Sequence, residues 1–222
     1  MSAAPSDTST STRFLVVLDA DSTLIHDEVI ELLAEEAGSR SEVARITELA
    51  MQGELDFEQS LRRRVQTLAG LPVAVYERVG ERIRVTEGVP ELVAGVHAGG
   101  GRIGVVSGGF HEILDPLAAR LGLDHWRANR LEVVDGLMTG GLIGDVIDAA
   151  AKAAALTEWA VEAGVPPSRT VAIGDGANDL QMMAVAGLSV AFNAKWRVRQ
   201  EADLVIDRQD LSQVLPLLGL RG

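Results

Sequence analysis

The chain has no cysteine. That single absence excludes disulfides, thiolate metal sites and a cysteine nucleophile. Nor does any stretch approach the roughly 18 consecutive apolar residues of a membrane span. Residues 1–12 are rich in Ser and Thr and lack the basic start and apolar stretch of a secretory signal. They are expected to form a disordered tail, with the cytoplasm as the default location. Internal repeats are absent. Positive charge is scarce: 20 basic residues face 32 acidic ones, a formal net charge of −12. This argues against nucleic acid as a partner, because its binding depends on basic patches. The same deficit sets a condition on any anionic small molecule. A bound metal or well-placed Lys and Arg must reverse the sign locally.

What is present reads as one sizeable core with room for an accessory unit. Hydrophobic residues make up 47% of the 222 and charged residues 23%, as in ordinary soluble domains. Five short apolar runs are continuous rather than alternating, the pattern of strands covered on both faces. They are Phe14–Leu18, Arg102–Val106, Thr170–Ile173, Ser189–Phe192 and Leu204–Ile206. Helical patterns separate them, notably Glu112–Leu121 and Ala149–Ala163. Alternation of this kind predicts a doubly wound, Rossmann-like α/β parallel sheet. Between the first two runs lie some eighty residues. Val29, Ile30, Leu32 and Leu33, then Leu61, Val65 and Leu68, then Val75, Val79 and Ile83 recur there at helical spacing. We therefore expect a helical cap over residues 27–84, inserted into a core formed by 13–26 and 85–222. A small β-hairpin is expected over 131–139, turning on Asp135-Gly136.

Three strand ends carry polar residues. Asp19 and Asp21 follow the first run. Alternation along an extended segment sends residues i and i+2 to one side, so both carboxylates can face one ligand. On a functional reading, one is a nucleophile that forms an acyl-phosphate and the other an acid and base. An Asp-Ser turn or cap fits the pair alone equally well. The second group, Gly174-Asp175-Gly176-Ala177-Asn178-Asp179, adds two acids and an amide. A hard cation such as Mg²⁺ takes oxygen ligands and few protein carboxylates. Asp19 and Asp175 would serve it, with Asp21 contributing its backbone carbonyl. Third, Ser107-Gly108-Gly109-Phe110 ends a strand with a hydroxyl and free amides, an anion site at a helix N-terminus or an ordinary βα turn. Lys152, the only charge in Ala149–Ala155, is either solvated or a counter-charge to phosphate.

In this order and with a helical insertion after the first, these motifs resemble the haloacid dehalogenase superfamily of phosphatases across about residues 14–218. The cap adds a closer likeness. Asp19 to Glu28 and Ala50 to Val65, with Val106–Phe110, Ala128-Asn129 and Gly174–Leu180, resemble the branch of that superfamily that acts on O-phospho-L-serine. The resemblance implies Asp19 as nucleophile and Asp21 as general acid and base. It implies Mg²⁺ at Asp19, Asp21 and Asp175, with Asp179 in support. Ser107, Gly108 and Lys152 would hold phosphate, and Asn178 would orient the site. Glu28 and Arg64 would read the ammonium and carboxylate of serine, and Met51 and Phe57 would shield them. An amino-acid head needs one anion and one cation, and Arg suits a carboxylate bidentately.

The activity so implied is the Mg²⁺-dependent hydrolysis of phosphoserine, the last step of serine biosynthesis, by a monomer or homodimer with no nucleic-acid or membrane partner. Other small phosphomonoesters, such as phosphothreonine, or transfer to an acceptor such as homoserine, stay open as alternatives. A receiver-type signalling domain uses similar groups, but it needs no cap and no Asp21 placed to destroy its aspartyl-phosphate. Two residues depart from the family pattern. Ala20 is smaller than expected, and Trp196 stands where proline is expected, so the backbone there is expected to differ. No amino-terminal regulatory domain is expected.

Overall fold

The computed structural model describes residues 12–220. Apart from Thr12, the expected tail lies outside the described residues. Seven strands form one sheet: β1 (Leu15–Leu18), β2 (Arg102–Phe110), β3 (His125–Val134), β4 (Leu137–Ile143), β5 (Thr170–Gly174), β6 (Leu188–Phe192) and β7 (Leu204–Ile206). Their order is β4-β3-β2-β1-β5-β6-β7. Every pairing is parallel except that of β3 with β4. The expected doubly wound α/β sheet is present.

Strand β1 explains why its sequence is apolar without a break. Val16 and Leu18 join the core on one face of the sheet, and Leu15 and Val17 join the core on the other. Alternation then carries the next residue, Asp19, to the side of Leu15 and Val17. Two helices of that side are α7 (Ala149–Glu162) and α8 (Leu180–Val185). On either side of β1 lie β2 and β5, so the winding reverses at this strand. A crevice beyond the carboxyl ends of the strands at such a reversal is where open α/β sheets bind ligands.

Four helices fill the chain between β1 and α5 (Val89–Ala98): α1 (Val29–Ala37), α2 (Arg40–Met51), α3 (Phe57–Gln66) and α4 (Val75–Arg82). The start of α3 is fixed by a capping box. Asp56 accepts from the Gln59 amide at 2.8 Å, and the Gln59 side chain accepts from the Asp56 amide at 3.3 Å. That pair satisfies two of the amides a helix start leaves open. It also sets Phe57 at the first helical position, with Leu61 and Arg64 following at i+4 and i+7 on the same face.

The chain leaves the sheet and returns to it side by side. Ile25 bridges Val85 antiparallel, Thr86 donates its hydroxyl to the Thr23 carbonyl at 2.7 Å, and Arg84 pairs with Asp27 at 2.7 Å.

Helix α6 (His111–Leu121) follows β2, and α9 (Trp196–Glu201) and α10 (Val214–Leu217) complete the fold. Among the described residues no helix is long and apolar enough to cross a membrane.

Two details differ from expectation. The hairpin is no separate appendage: β3 begins at His125, runs parallel to β2, then continues into the antiparallel pair with β4. Its early residues, His125-Trp126-Arg127-Ala128-Asn129, carry few β-branched side chains, which hides the strand. The turn is as expected, with φ of 52° at Asp135 and 77° at Gly136. At Trp196 the helix starts where a proline would be comfortable, so Trp196 takes the first helical position. Its side chain is exposed.

Candidate active site

The strand ends meet as the apolar runs imply, but Asp21 reaches the site by a different route from the one expected. The strand stops at Leu18, and Ala20 to Ile25 is a tight loop rather than an extended segment. The Ala20 carbonyl accepts from the amides of Thr23 at 3.2 Å and Ile25 at 3.0 Å, and Ser22 takes a left-handed φ of 60°. This fold-back still brings Asp21 to the cavity that Asp19 lines. The Asp21 Oδ2 accepts weakly from the Val29 amide at 3.4 Å, and its Oδ1 is buried without a partner.

Lys152 is wholly buried. Helix α7 is capped by Asp148, which accepts from the Ala151 amide at 2.8 Å. In the first turns that follow, a long side chain leans back toward the helix start. Its ammonium donates to Asp19 Oδ1 at 2.5 Å and to Asp179 Oδ1 at 2.7 Å. Such a charge persists in a core only when paired and hydrogen-bonded. The solvated alternative for Lys152 is excluded. It stands behind Asp19 and is not part of the cavity wall.

Asp179 is held twice, by Lys152 on Oδ1 and by the Gly176 amide on Oδ2 at 3.0 Å. Gly174 makes this possible, since a Cβ there would lie 2.4 Å from Asp179 Oδ2. The carboxylate oxygens of Asp19, Asp175 and Asp179 lie within 4.8 Å of one another. Three acids at that spacing fit a divalent cation, and their hard oxygens suit one that prefers oxygen. With both its oxygens engaged, Asp179 supports the set. The Asp21 carboxylate stands outside it, as a backbone-carbonyl contribution would require.

Burial dominates the protonation of these groups. It pushes Asp19 up to about 8, with Lys152 pulling it down and Asp179 and Asp175 raising it further. Asp21 is raised well above the carboxylate range by burial, then by Glu28 and Asp19. Asp175 is raised to about 6 by burial and Asp179, with Lys195 opposing. Lys152 is held protonated, its two carboxylates outweighing the cost of burial.

Ser107 is buried, and its hydroxyl accepts from the Gly109 amide at 2.9 Å. The expected helix N-terminus is not at Ser107-Gly108. Strand β2 runs on to Phe110, and α6 starts only at His111. The polar backbone here is instead braced by Asn129, which donates to the Gly108 carbonyl at 2.8 Å and accepts from the Ile147 amide at 2.9 Å. Asn129 is buried. The motif containing it carries no role for it in the sequence, and a buried amide on a strand is the signal that could have supplied one.

The cavity, about 110 Å³, has Asp19, Asp21, Gly108, Asp175 and Asn178 on the sheet side. Phe57, Leu61 and Arg64 of α3 face them, with Glu28 and Ile30 beside. At Gly108 the two sides come close together. A Cβ there would lie 3.0 Å from the tip of the Phe57 ring, tighter than ordinary contact, so any larger residue would make the ring shift by a few tenths of an ångström. Glu28 accepts from the Ser22 hydroxyl at 2.8 Å. Met51, by contrast, is 80% exposed at the end of α2 and does not line the cavity. Gly109 and Gly176, from the two glycine-containing motifs, and Lys195 also line it.

This geometry agrees with what the chain is similar to. A family model described as haloacid dehalogenase-like hydrolase matches residues 16–184. The phosphoserine phosphatase of Streptococcus thermophilus is 50% identical over 94% of this chain and 97% of its own length. The chain belongs to the phosphoserine phosphatase family of haloacid dehalogenase-like hydrolases. The family member from Streptomyces coelicolor is 53% identical over 93% of this chain, which spans only 50% of that longer protein. Among solved structures, a phospho-aspartyl intermediate analogue of a phosphoserine phosphatase superposes with a TM-score of 0.87 at 42% identity, over 93% of this chain and 99% of that one. A substrate-bound phosphoserine phosphatase complex gives the same TM-score and identity. HAD-family phosphatases take a divalent metal, and the three-aspartate cluster is where one fits.

Proposed function

We propose that the chain hydrolyses O-phospho-L-serine to L-serine and phosphate through an aspartyl-phosphate on Asp19. The observation that carries this reading is the Lys152 ammonium held between Asp19 and Asp179 on the sheet side of a cavity whose other side presents Glu28 and Arg64.

The Asp19 carboxylate, whose ionised form the Lys152 ammonium favours against burial, attacks phosphorus in line while the phosphorus–serine oxygen bond breaks. Asp21 gives its proton to the leaving oxygen. Its raised pKa keeps that proton available near neutral pH, and its unpartnered Oδ1 faces no competing hydrogen bond. Asp21, now a carboxylate, takes a proton from water, the water oxygen attacks phosphorus, and the bond to Asp19 breaks. Ser107 and Gly108 contact the phosphoryl oxygens. Lys152, behind Asp19, neutralises the charge that builds there, which is most of what phosphoryl transfer asks of a protein.

A divalent cation, Mg²⁺ by the hardness of the donors, would be held by Asp19 and Asp175 with the Asp21 carbonyl, Asp179 supporting. When bound, it supplies further positive charge against the phosphoryl oxygens. Glu28 takes the substrate ammonium and Arg64 its carboxylate. Asn178 orients the site, and Phe57 closes over it. Residues 27–84 act as a cap on the core of 13–26 and 85–222, with closure bringing Met51 over the substrate. On this reading the enzyme works in the cytoplasm.

Phosphate release from a panel of phosphomonoesters, with and without alcohol acceptors, tests the reading. Phosphoserine is expected to lead by kcat/KM and water to be the acceptor. Preference for an ester lacking the amino-acid head, or transfer to alcohols exceeding hydrolysis, would overturn it.

A further inference from the structure

Of the 20 basic residues in this chain only two are lysines, Lys152 and Lys195; every other is arginine. Both reach the same small region of the molecule. Lys152 is buried against Asp19, and Lys195 lines the cavity from the other side of Asp175. Lys195 sits at the start of α9, where its backbone amide donates to the Asp175 carbonyl at 3.1 Å, so its main chain is tied to the cavity edge. Its side chain is exposed and makes no ion pair among the described residues. It is near enough that its charge draws the Asp175 carboxyl down against burial.

The cavity wall carries four acids, Asp19, Asp21, Glu28 and Asp175, and only two cations, Arg64 and Lys195. Arg64 belongs to the helical side, and Lys152 lies behind the wall. A phosphate dianion approaching a protein of net charge −12 therefore meets one cation fixed to the sheet side of the entrance. We infer that Lys195 is a charge-steering residue that captures the phosphate group at the cavity mouth and aligns it toward Asp19. A compact ammonium on a flexible stem is suited to such capture, because it follows an incoming anion without locking it in a bidentate fork. Its field also repels a divalent cation at Asp175, so Lys195 favours phosphate at the expense of metal held alone. The inference rests on the reading of the site as one for phosphomonoesters.

The test compares the wild type with K195M and K195R, titrating inorganic phosphate, and separately Mg²⁺, into each by calorimetry. K195M should weaken phosphate binding in the presence of Mg²⁺ by about tenfold. In the absence of phosphate it should tighten Mg²⁺ binding. Opposite shifts are not what a misfolded or loosened site would give. K195R should keep most of both properties, because the charge survives. With phosphoserine, K195M should lose kcat/KM through KM while keeping kcat, and the dependence of kcat/KM on ionic strength should flatten. Unchanged phosphate affinity with an unchanged salt slope would overturn the inference, as would joint weakening of phosphate and Mg²⁺. If wild-type protein binds phosphate but does not hydrolyse phosphoserine, the substrate assignment fails while the phosphate titration still decides the role of Lys195.

Discussion

Asp19 and Lys152 set the terms at the scale of single residues. Two groups that are each costly to bury are stable together because each satisfies the other, and Asp179 completes the set. Replacing Lys152 with Met leaves two buried carboxylates without their cation. The variant should lose about 3–5 kcal/mol of stability in urea unfolding at neutral pH, with a smaller loss in acid, where the carboxylates are protonated. The metal-free wild type should itself respond to pH. Asp19 and Asp175 rise from 3.8 to about 8 and about 6 on folding. The folded state therefore binds more protons than the unfolded state between those values. Stability contributed by these groups is complete below about pH 4 and is lost as pH climbs through 6 and 8. Thermal unfolding of metal-free protein should show a falling midpoint over that range, and Mg²⁺ should restore more at pH 8 than at pH 5. A midpoint that rises with pH in the metal-free protein would contradict the burial of these acids.

Helix α3 matters most at the scale of elements, because Phe57, Leu61 and Arg64 all reach the cavity from one of its faces. Its position depends on the Asp56–Gln59 capping box. Asp56→Ala should cost about 1 kcal/mol of stability. It should also raise KM more than it lowers kcat, if Arg64 binds the substrate head as proposed and does not touch phosphorus. A second substitution, Gly108→Ala, should displace the Phe57 ring, because the added Cβ would lie 3.0 Å from it. KM for phosphoserine should rise while the urea midpoint stays near that of the wild type.

The elements also mark what can be read in advance. Continuous apolar runs give away β1, β5 and β6 because the sheet's interior leaves little room for polar residues along them. Strand β7 is also an apolar run, but it is an edge strand with Leu204 and Val205 exposed, so burial on both faces does not explain it. The start of β3 is hidden because His125, Trp126 and Arg127 are only partly covered and carry no strand signature. The Ala20–Ile25 fold-back realises the Asp-Ser turn that the sequence left open, but its left-handed Ser22 is not specified by local propensity. Lys152 is undecided in the sequence because a lysine in an alanine-rich helix start is equally compatible with solvent. Only the packing of α7 against the sheet turns it inward. Lys195 belongs to no acid-rich or glycine-rich motif, so its place at the cavity emerges only from the fold.

The whole molecule is a net-negative protein that handles an anion. The sheet makes this possible by bringing three strand ends to one crevice at the reversal of its winding. The acids gathered there attract a metal and are offset by Lys152, Arg64 and Lys195. The helices between β1 and α5 supply a second wall that a bare sheet edge lacks. The two connections into and out of that helical segment run together, tied by Arg84–Asp27 and Thr86–Thr23, so the segment joins the sheet at one place. Whole-chain organisation thus explains why the first and second strands are separated by so many residues.

The central claim is that phosphate passes through Asp19. Rapid acid quench of the wild type with phosphoserine and Mg²⁺, followed by peptide mass spectrometry, measures it directly. The account predicts a phosphorylated peptide modified at Asp19. In Asp19→Asn, whose circular dichroism should match the wild type, the modification should be absent and turnover lost by orders of magnitude. A variant that keeps near wild-type turnover, or a wild type modified at any other residue, would contradict the account.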